Sequence, residues 1–133
     1  PFVRLDGGIY VVSATSLANV YSPYSGPWTE PWETEYQQLR AIEPVFDDYT
    51  RNPDRRAQLQ REAPAEKWQR GWARYDALRF ARLCHYLRVR GPAAQLGYSI
   101  LIYRLDAREI AAATAGSLAD WRRLIEQAAA RKP

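Results

Sequence analysis

Two short apolar runs constrain the fold of this chain most strongly. Ile9–Val12 and Ile100–Tyr103 are among the longest apolar runs in its 133 residues, and both have the length of a β-strand rather than of a helix. Their side chains are apolar on both faces, as in strands that are covered on both sides. No run approaches the roughly 18 consecutive apolar residues of a membrane span. The chain therefore predicts a small, largely buried sheet. Two strands cannot form such a sheet alone, so Phe2–Leu5 adds a third or further strands lie upstream.

Helical patterns fill the sequence between and after these runs. Apolar residues recur at helical spacing from Trp32 to Tyr49, where Pro44 should kink the helix or split it after Glu43. Gly91 and the proline after it should end the longest helix. Cap and breaker residues predict further helices over about 53–62, 64–88, 106–113 and 117–128. The predicted fold class is α/β, with α+β as the alternative: one domain over residues 1–133, with two to four strands and four or five helices.

The longest predicted helix has an apolar face and a basic face. The apolar sector holds Trp72, Ala73, Phe80, Leu83, Cys84 and Leu87, and the opposite side holds Arg70, Arg74, Arg82, His85 and Arg88. Asp76 lies within the apolar sector, where a buried carboxylate requires a partner. Arg79, three residues later, or Arg104 could supply it. A structural ion pair of Asp76 with Arg79 is favoured over a catalytic acid, because the spacing sets no second carboxylate beside Asp76.

Composition excludes most catalytic chemistry. The chain has 19 basic and 15 acidic residues, interleaved along the sequence, which is more typical of a solvated surface than of a nucleic-acid interface. Cys84 and His85 are the only cysteine and the only histidine, so Cys-based zinc sites and most Ser-His-Asp schemes are excluded. The sequence therefore predicts no catalytic residue, no metal site and no cofactor.

A polar segment directly after the first apolar run is the best candidate for a binding site. Ser13, Thr15 and Asn19 follow the predicted strand, and ligands of open α/β sheets collect beyond the carboxyl ends of strands. Trp28, in a loop rich in Pro and Gly, is the fourth candidate, as a contact surface or as a lid over the sheet. In the alternative interpretation, the hydroxyl and amide groups only cap their own backbone, which is their more common role.

Two blocks of sequence resemble a known family. The first is Gly8–Tyr21 (GIYVVSATSLANVY), and the second comprises 75–79 (YDALR) and 87–105 (LRVRGPAAQLGYSILIYRL). Read together, they resemble the C-terminal domain of bacterial multi-pass glycosyltransferases that use lipid-phosphate-linked sugars, of the mannosyl- or aminoarabinose-transferase-like type. Residues 22–74 depart from this pattern, because they are longer and more helical than in the family.

The resemblance implies an accessory domain on the periplasmic side of the inner membrane, following a bundle of transmembrane helices. The acidic catalytic residues of the family belong to that membrane part, so none is carried over to this chain. The implied partners are the transmembrane portion of the same polypeptide and a lipid-linked sugar or its acceptor. The chain contains no Met, and we expect it to be a fragment of a longer protein. The alternative is a free-standing module that binds an anionic partner through the Arg-rich helix face.

Overall fold

The computed structural model describes residues 5–121, which form a three-stranded antiparallel sheet, six helices and a further helical turn at 118–121. The fold class predicted from the sequence is confirmed. The elements in chain order are β1 (Gly8–Ser13), α1 (Ala14–Ala18), α2 (Glu30–Ala41), α3 (Glu43–Arg51), α4 (Pro53–Glu62), α5 (Ala65–Arg90), β2 (Ala94–Leu96), β3 (Ile100–Leu105) and α6 (Ala107–Thr114). The predicted strand at 2–5 and the predicted helix at 117–128 lie largely outside the described residues. Within residues 5–121, no helix has both the length and the apolarity needed to cross a bilayer.

The described residues form two compact units. The helical unit comprises residues 29–79, with α2, α3, α4 and the first part of α5. The sheet unit comprises residues 5–28 and 80–121, with α1, the remainder of α5, the three strands and α6. The single domain predicted from chain length stays a prediction, and each unit is described by itself.

Local signals determine where the helices of the helical unit begin. The Thr29 hydroxyl accepts from the Trp32 amide at the start of α2, and the Asn52 carboxamide oxygen accepts from the Arg55 amide at the start of α4, at 3.1 Å. The helix predicted from Trp32 to Tyr49 is split at Ile42, two residues before Pro44, which lies in the first turn of α3. In the core, the rings of Tyr36 and Tyr75 stack with their centroids 5.7 Å apart.

The long helix α5 buries only part of the face that its sequence predicts: Leu83, Cys84 and Leu87 are buried as expected, but two other residues are not where the pattern places them. Phe80 is 44% exposed, whereas Arg82, expected on the polar face, is completely buried. Between Ala81 and Leu87 every residue except His85 is buried, so this stretch has almost no solvated face. Asp76 is exposed, which removes the reason for its predicted pair with Arg79. Arg79 is buried, and the Asp76–Arg79 pair itself stays a prediction.

The sheet has the order β1-β3-β2, and its central strand is the last in sequence. β1 and β3 pair antiparallel from Gly8 opposite Leu105 to Ser13 opposite Ile100. One face packs on the core of the sheet unit through side chains that include Tyr10, Val12, Tyr103 and Leu105. The other face is not covered, because Ile9 and Val11 are each 64% exposed. The predicted burial of both sheet faces is therefore wrong.

Arg82 connects α5 to the end of α6. A capping box of Asp106 and Glu109 begins α6, at the start of the helix predicted over 106–113. At the other end of the helix, the Arg82 guanidinium donates to the carbonyls of Ala113 and Gly116, both at 2.7 Å, and to that of Ala112 at 3.3 Å. Its central carbon lies 4.7 Å from the centroid of the Trp121 ring. The buried cation thus occupies the negative end of the α6 dipole and satisfies carbonyls that the helix leaves open.

Candidate functional site

Arg88 fastens the segment after β1 to α5. Its Nη1 donates to the Leu17 carbonyl at 2.6 Å and its Nη2 to the Gly26 carbonyl at 2.7 Å. One side chain therefore holds both the short helix α1 and the loop that follows it. The planar guanidinium suits this role, because its donors diverge in a fixed geometry.

His85, one turn earlier on α5, holds the far end of the same loop. Its Nδ1 accepts from the backbone amide of Trp28 at 3.3 Å, an arrangement that requires the neutral ring with its proton on Nε2. Burial, assisted by the nearby charge of Arg88, lowers the pKa of His85 below its usual 6.5. The ring also lies beside Trp121, with the centroids 5.8 Å apart.

The titration of His85 predicts a loss of stability in mild acid. Because the folded protein holds the lower pKa, the unfolded chain binds a proton first as the pH falls below about 6.5. The contribution of His85 to stability is thus complete above that pH and is lost between pH 6.5 and the lowered pKa. We expect the melting temperature to fall between pH 7.5 and 5.5, and to fall less in His85→Gln. Equal falls in both proteins would contradict this assignment.

The four residues predicted to bind a ligand lie along this fastened segment. Ser13 caps α1, because its hydroxyl oxygen accepts from the Ser16 amide at 3.0 Å. Thr15 is exposed, and Asn19 ends α1 in the left-handed conformation at φ 53°. Trp28 is half-buried and reaches His85 through its amide. The capping interpretation therefore holds for Ser13, while ligand binding by all four residues stays a prediction.

A shallow cleft of about 430 Å³ lies on the same side of α5. It is lined by Ala18, Gly26, Pro27, His85, Arg88 and Val89. None of the four predicted residues lines it, although Ala18 and Pro27 are their immediate neighbours. The sequence does not indicate His85 and Arg88 as positioning residues, since their place in a row of basic side chains is typical of a solvated helix face.

Burial opposes the ionisation of two side chains of the sheet unit. Burial raises the pKa of the Cys84 thiol to about 11, and its Sγ donates to the Ser16 carbonyl at 3.6 Å. Burial also raises the pKa of Tyr103, whose hydroxyl has no hydrogen-bond partner in the part of the chain that the structure describes. The Nδ2 of Asn19 is buried and likewise without a partner there. Across residues 5–121, no group of His, Cys, Asp and Glu side chains could hold a metal ion.

The uncovered face of the sheet exposes several large apolar side chains. We call it the outer sheet face and define it by Ile9, Val11, Leu96 and Ile100, of which Leu96 is 59% exposed. Leu96 lies opposite Ile100 in the β2–β3 register, so these side chains adjoin across the strands. Arg104, opposite Ile9, is the charged residue of this face. Contiguous exposed apolar surface of this kind is typical of an interaction site.

Comparison with protein-family models, with curated protein sequences and with solved structures finds no match to this chain. Its function must therefore be argued from the resemblance of the two sequence blocks and from the geometry described above.

Proposed function

We propose that this chain is a non-catalytic accessory domain of a membrane-bound glycosyltransferase that uses a lipid-linked sugar donor. The domain lies on the periplasmic side of the inner membrane and docks through the outer sheet face against the transmembrane portion of the same polypeptide. The observation that carries the proposal is the exposure of this face, with Ile9 and Val11 each 64% exposed. Apolar side chains in such positions gain free energy when a partner removes them from water.

The arrangement of the two resemblance blocks supports the proposal. Gly8–Tyr21 contains β1 and α1, and 87–105 contains β2 and β3. These segments are far apart in sequence, yet β1 pairs with β3 along its whole length. The residues that depart from the family pattern, 22–74, fall mostly in the helical unit. This division is consistent with a family-like sheet unit that carries a helical insertion.

The pKa shifts of Cys84 and His85 and the hydrogen bonds of Arg88 support a role of this region in positioning a ligand. Cys84 has a raised pKa and His85 a lowered one, and Arg88 is engaged by backbone carbonyls. These side chains hold α1 and the following loop in place. In this proposal, the segment with Ser13, Thr15, Asn19 and Trp28 helps position the lipid-linked donor or its acceptor.

The alternative, an anion-binding module that uses the Arg-rich face of α5, has less support. Arg82 is buried beneath the end of α6, and Arg88 donates to two carbonyls. Only Arg70 and Arg74 of the four arginines are exposed, and each forms an ion pair, with Glu66 and Glu35 respectively. Two of the four arginines are thus already engaged within the fold, which weakens the case for this face as a whole.

The test places a charge on the outer sheet face of the parent polypeptide. Val11→Lys should lower sugar transfer from a polyprenyl-phosphate-linked donor by about tenfold, because a lysine replaces an apolar contact of about 1.5–3 kcal/mol. The measurement is the transfer rate of the purified parent protein in detergent.

The matched control is Val20→Lys, at a loop position that is 55% exposed and not on the sheet, which should leave the rate unchanged. The melting temperature of each variant 133-residue chain separates docking from folding. The proposal is wrong if the gene encodes no hydrophobic spans, if the 133-residue chain transfers sugar by itself, or if Val11→Lys and Val20→Lys behave alike.

A further inference from the structure

The helical unit contains a groove that the proposed function does not use. We call it the helical-unit groove; its volume is about 640 Å³, within the range of small-molecule sites. It is lined by Leu39, Ile42, Phe46, Glu62, Ala63, Lys67, Trp68, Arg70, Gly71 and Arg74. All of these residues belong to one unit, so the groove does not depend on how the two units are arranged.

The floor and walls of the groove are apolar and fixed. Phe46 is 2% exposed, and its ring meets Trp68 edge to face with the centroids 6.4 Å apart. The Trp68 indole donates to the Leu59 carbonyl at 3.0 Å and stacks on Tyr49. Ile42, at the break between α2 and α3, is 41% exposed although it is a large apolar side chain. This surface is thus preformed, and an apolar ligand would remove it from water without reordering it.

A glycine on α5 contributes to the opening. A Cβ at Gly71 would lie 3.4 Å from the Phe46 ring, in ordinary contact, so any longer side chain at this position would extend into the groove. The helix tolerates this glycine although it lowers helix propensity by about 1 kcal/mol relative to alanine. Position 71 therefore offers a direct means of filling the groove.

One edge of the groove is basic. Lys67, Arg70 and Arg74 lie three and four residues apart on α5 and share one side of that helix. Arg74 is engaged by Glu35, whose side chain is largely buried. The Arg70–Glu66 pair is 3.4 Å long with side chains that are 82% and 80% exposed, so it contributes little free energy and can exchange with a ligand anion. Glu62 is the only acid among the lining residues.

From this combination we infer that the helical-unit groove binds an amphiphile made of one apolar chain and an anionic head group. The apolar chain lies between Ile42, Trp68 and Gly71, and the head group accepts hydrogen bonds from Lys67 and Arg70. Charge-assisted contacts of this kind give the anionic head its advantage over a neutral one. The inference does not rest on the proposed function.

The experiment titrates the 133-residue chain with octyl phosphate, with 1-octanol and with inorganic phosphate by isothermal calorimetry. We expect octyl phosphate to bind about tenfold more tightly than 1-octanol, and inorganic phosphate not to bind in the same range. Lys67→Gln/Arg70→Gln should reduce the affinity for octyl phosphate to that for 1-octanol and leave the affinity for 1-octanol unchanged. Arg61→Gln, at an exposed position on α4 outside the groove lining, is the matched control and should change neither affinity.

A second variant tests the apolar part of the site. Gly71→Leu should abolish binding of both octyl compounds, and circular dichroism with thermal melting shows whether this variant is folded. If it does not fold, Ile42→Glu at the exposed rim serves the same purpose. The inference is overturned if neither octyl compound binds, if the two bind equally well, or if folded variants with a filled or charged groove bind as the unchanged chain does.

Discussion

Arg82→Ala will lower the free energy of unfolding by about 3–5 kcal/mol, because a buried acceptor that loses its donor costs about 1–3 kcal/mol and the cavity left by the side chain adds to this cost. Arg82 is completely buried, and its guanidinium donates to the carbonyls of Ala112, Ala113 and Gly116. Removing it takes the donor from the carbonyls of Ala113 and Gly116, whereas the Ala112 carbonyl still accepts from the Gly116 amide and the Trp121 indole. It also removes the cation stacked on Trp121 and opens a cavity beneath that ring.

Urea denaturation followed by far-UV circular dichroism measures this effect. Arg82→Lys keeps the charge but presents a point donor instead of a planar fork, so we expect it to recover only part of the loss. Arg70→Ala, at an exposed position on the same helix, should change stability by less than about 0.5 kcal/mol. A loss of less than about 1 kcal/mol in Arg82→Ala would show that the carbonyl contacts of Arg82 do not hold α6.

Arg88→Ala is expected to lower the free energy of unfolding by about 2–4 kcal/mol, because two charge-assisted hydrogen bonds to carbonyls are lost together. The bonds to Leu17 and Gly26 are the attachment of α1 and its loop to this part of α5. Their loss should also weaken the bond from the Trp28 amide to His85, since that amide lies two residues beyond Gly26. Arg88→Ala should thus lower the stability of the whole fold and also loosen the loop around Trp28.

Amide hydrogen exchange separates the two parts of this prediction. The Trp28 amide should exchange faster in Arg88→Ala than the loss of global stability alone explains, whereas amides of α6 should follow the global change. Arg104→Ala, at an exposed position of β3, is the control and should leave the Trp28 amide as protected as before. Unchanged protection of Trp28 in Arg88→Ala would refute the fastening role of Arg88.

Local signals predicted the elements of this fold well. Asn52 and Asp106 cap the helices that follow them, and Pro44 lies in the first turn of α3, after a break one residue earlier than predicted. Two short elements were missed: α1, with five residues, and β2, with three. Neither is long enough to show a periodic pattern, and β2 has its shape only because β3 supplies its hydrogen bonds.

Burial was harder to predict because it depends on distant residues. The carbonyl partners of Arg82 are 30 to 34 residues away in sequence. The spacing of basic residues on α5 does not show these partners, and it therefore predicted that Arg82 is exposed to solvent. The opposite error concerned Ile9 and Val11, whose apolar character predicted a second covering layer that the described residues do not supply. At the candidate site, sequence position identified the segment after β1 but not Arg88, since the contacts that give Arg88 its role form only in the folded chain.

The pairing of β1 with β3 has a consequence for synthesis on the ribosome. Among the paired residues of β1 and β3, Ser13 and Ile100 have the smallest separation in sequence, which is 87 residues. At about 5–20 residues per second, β1 emerges several seconds before its partner strand has been translated. During that interval the nascent chain carries β1 as an unpaired, apolar segment, and the residues of the helical unit are translated within it. Chaperones that recognise extended apolar segments can bind β1 during this interval, which ends when Leu105, the last residue of β3, has been translated.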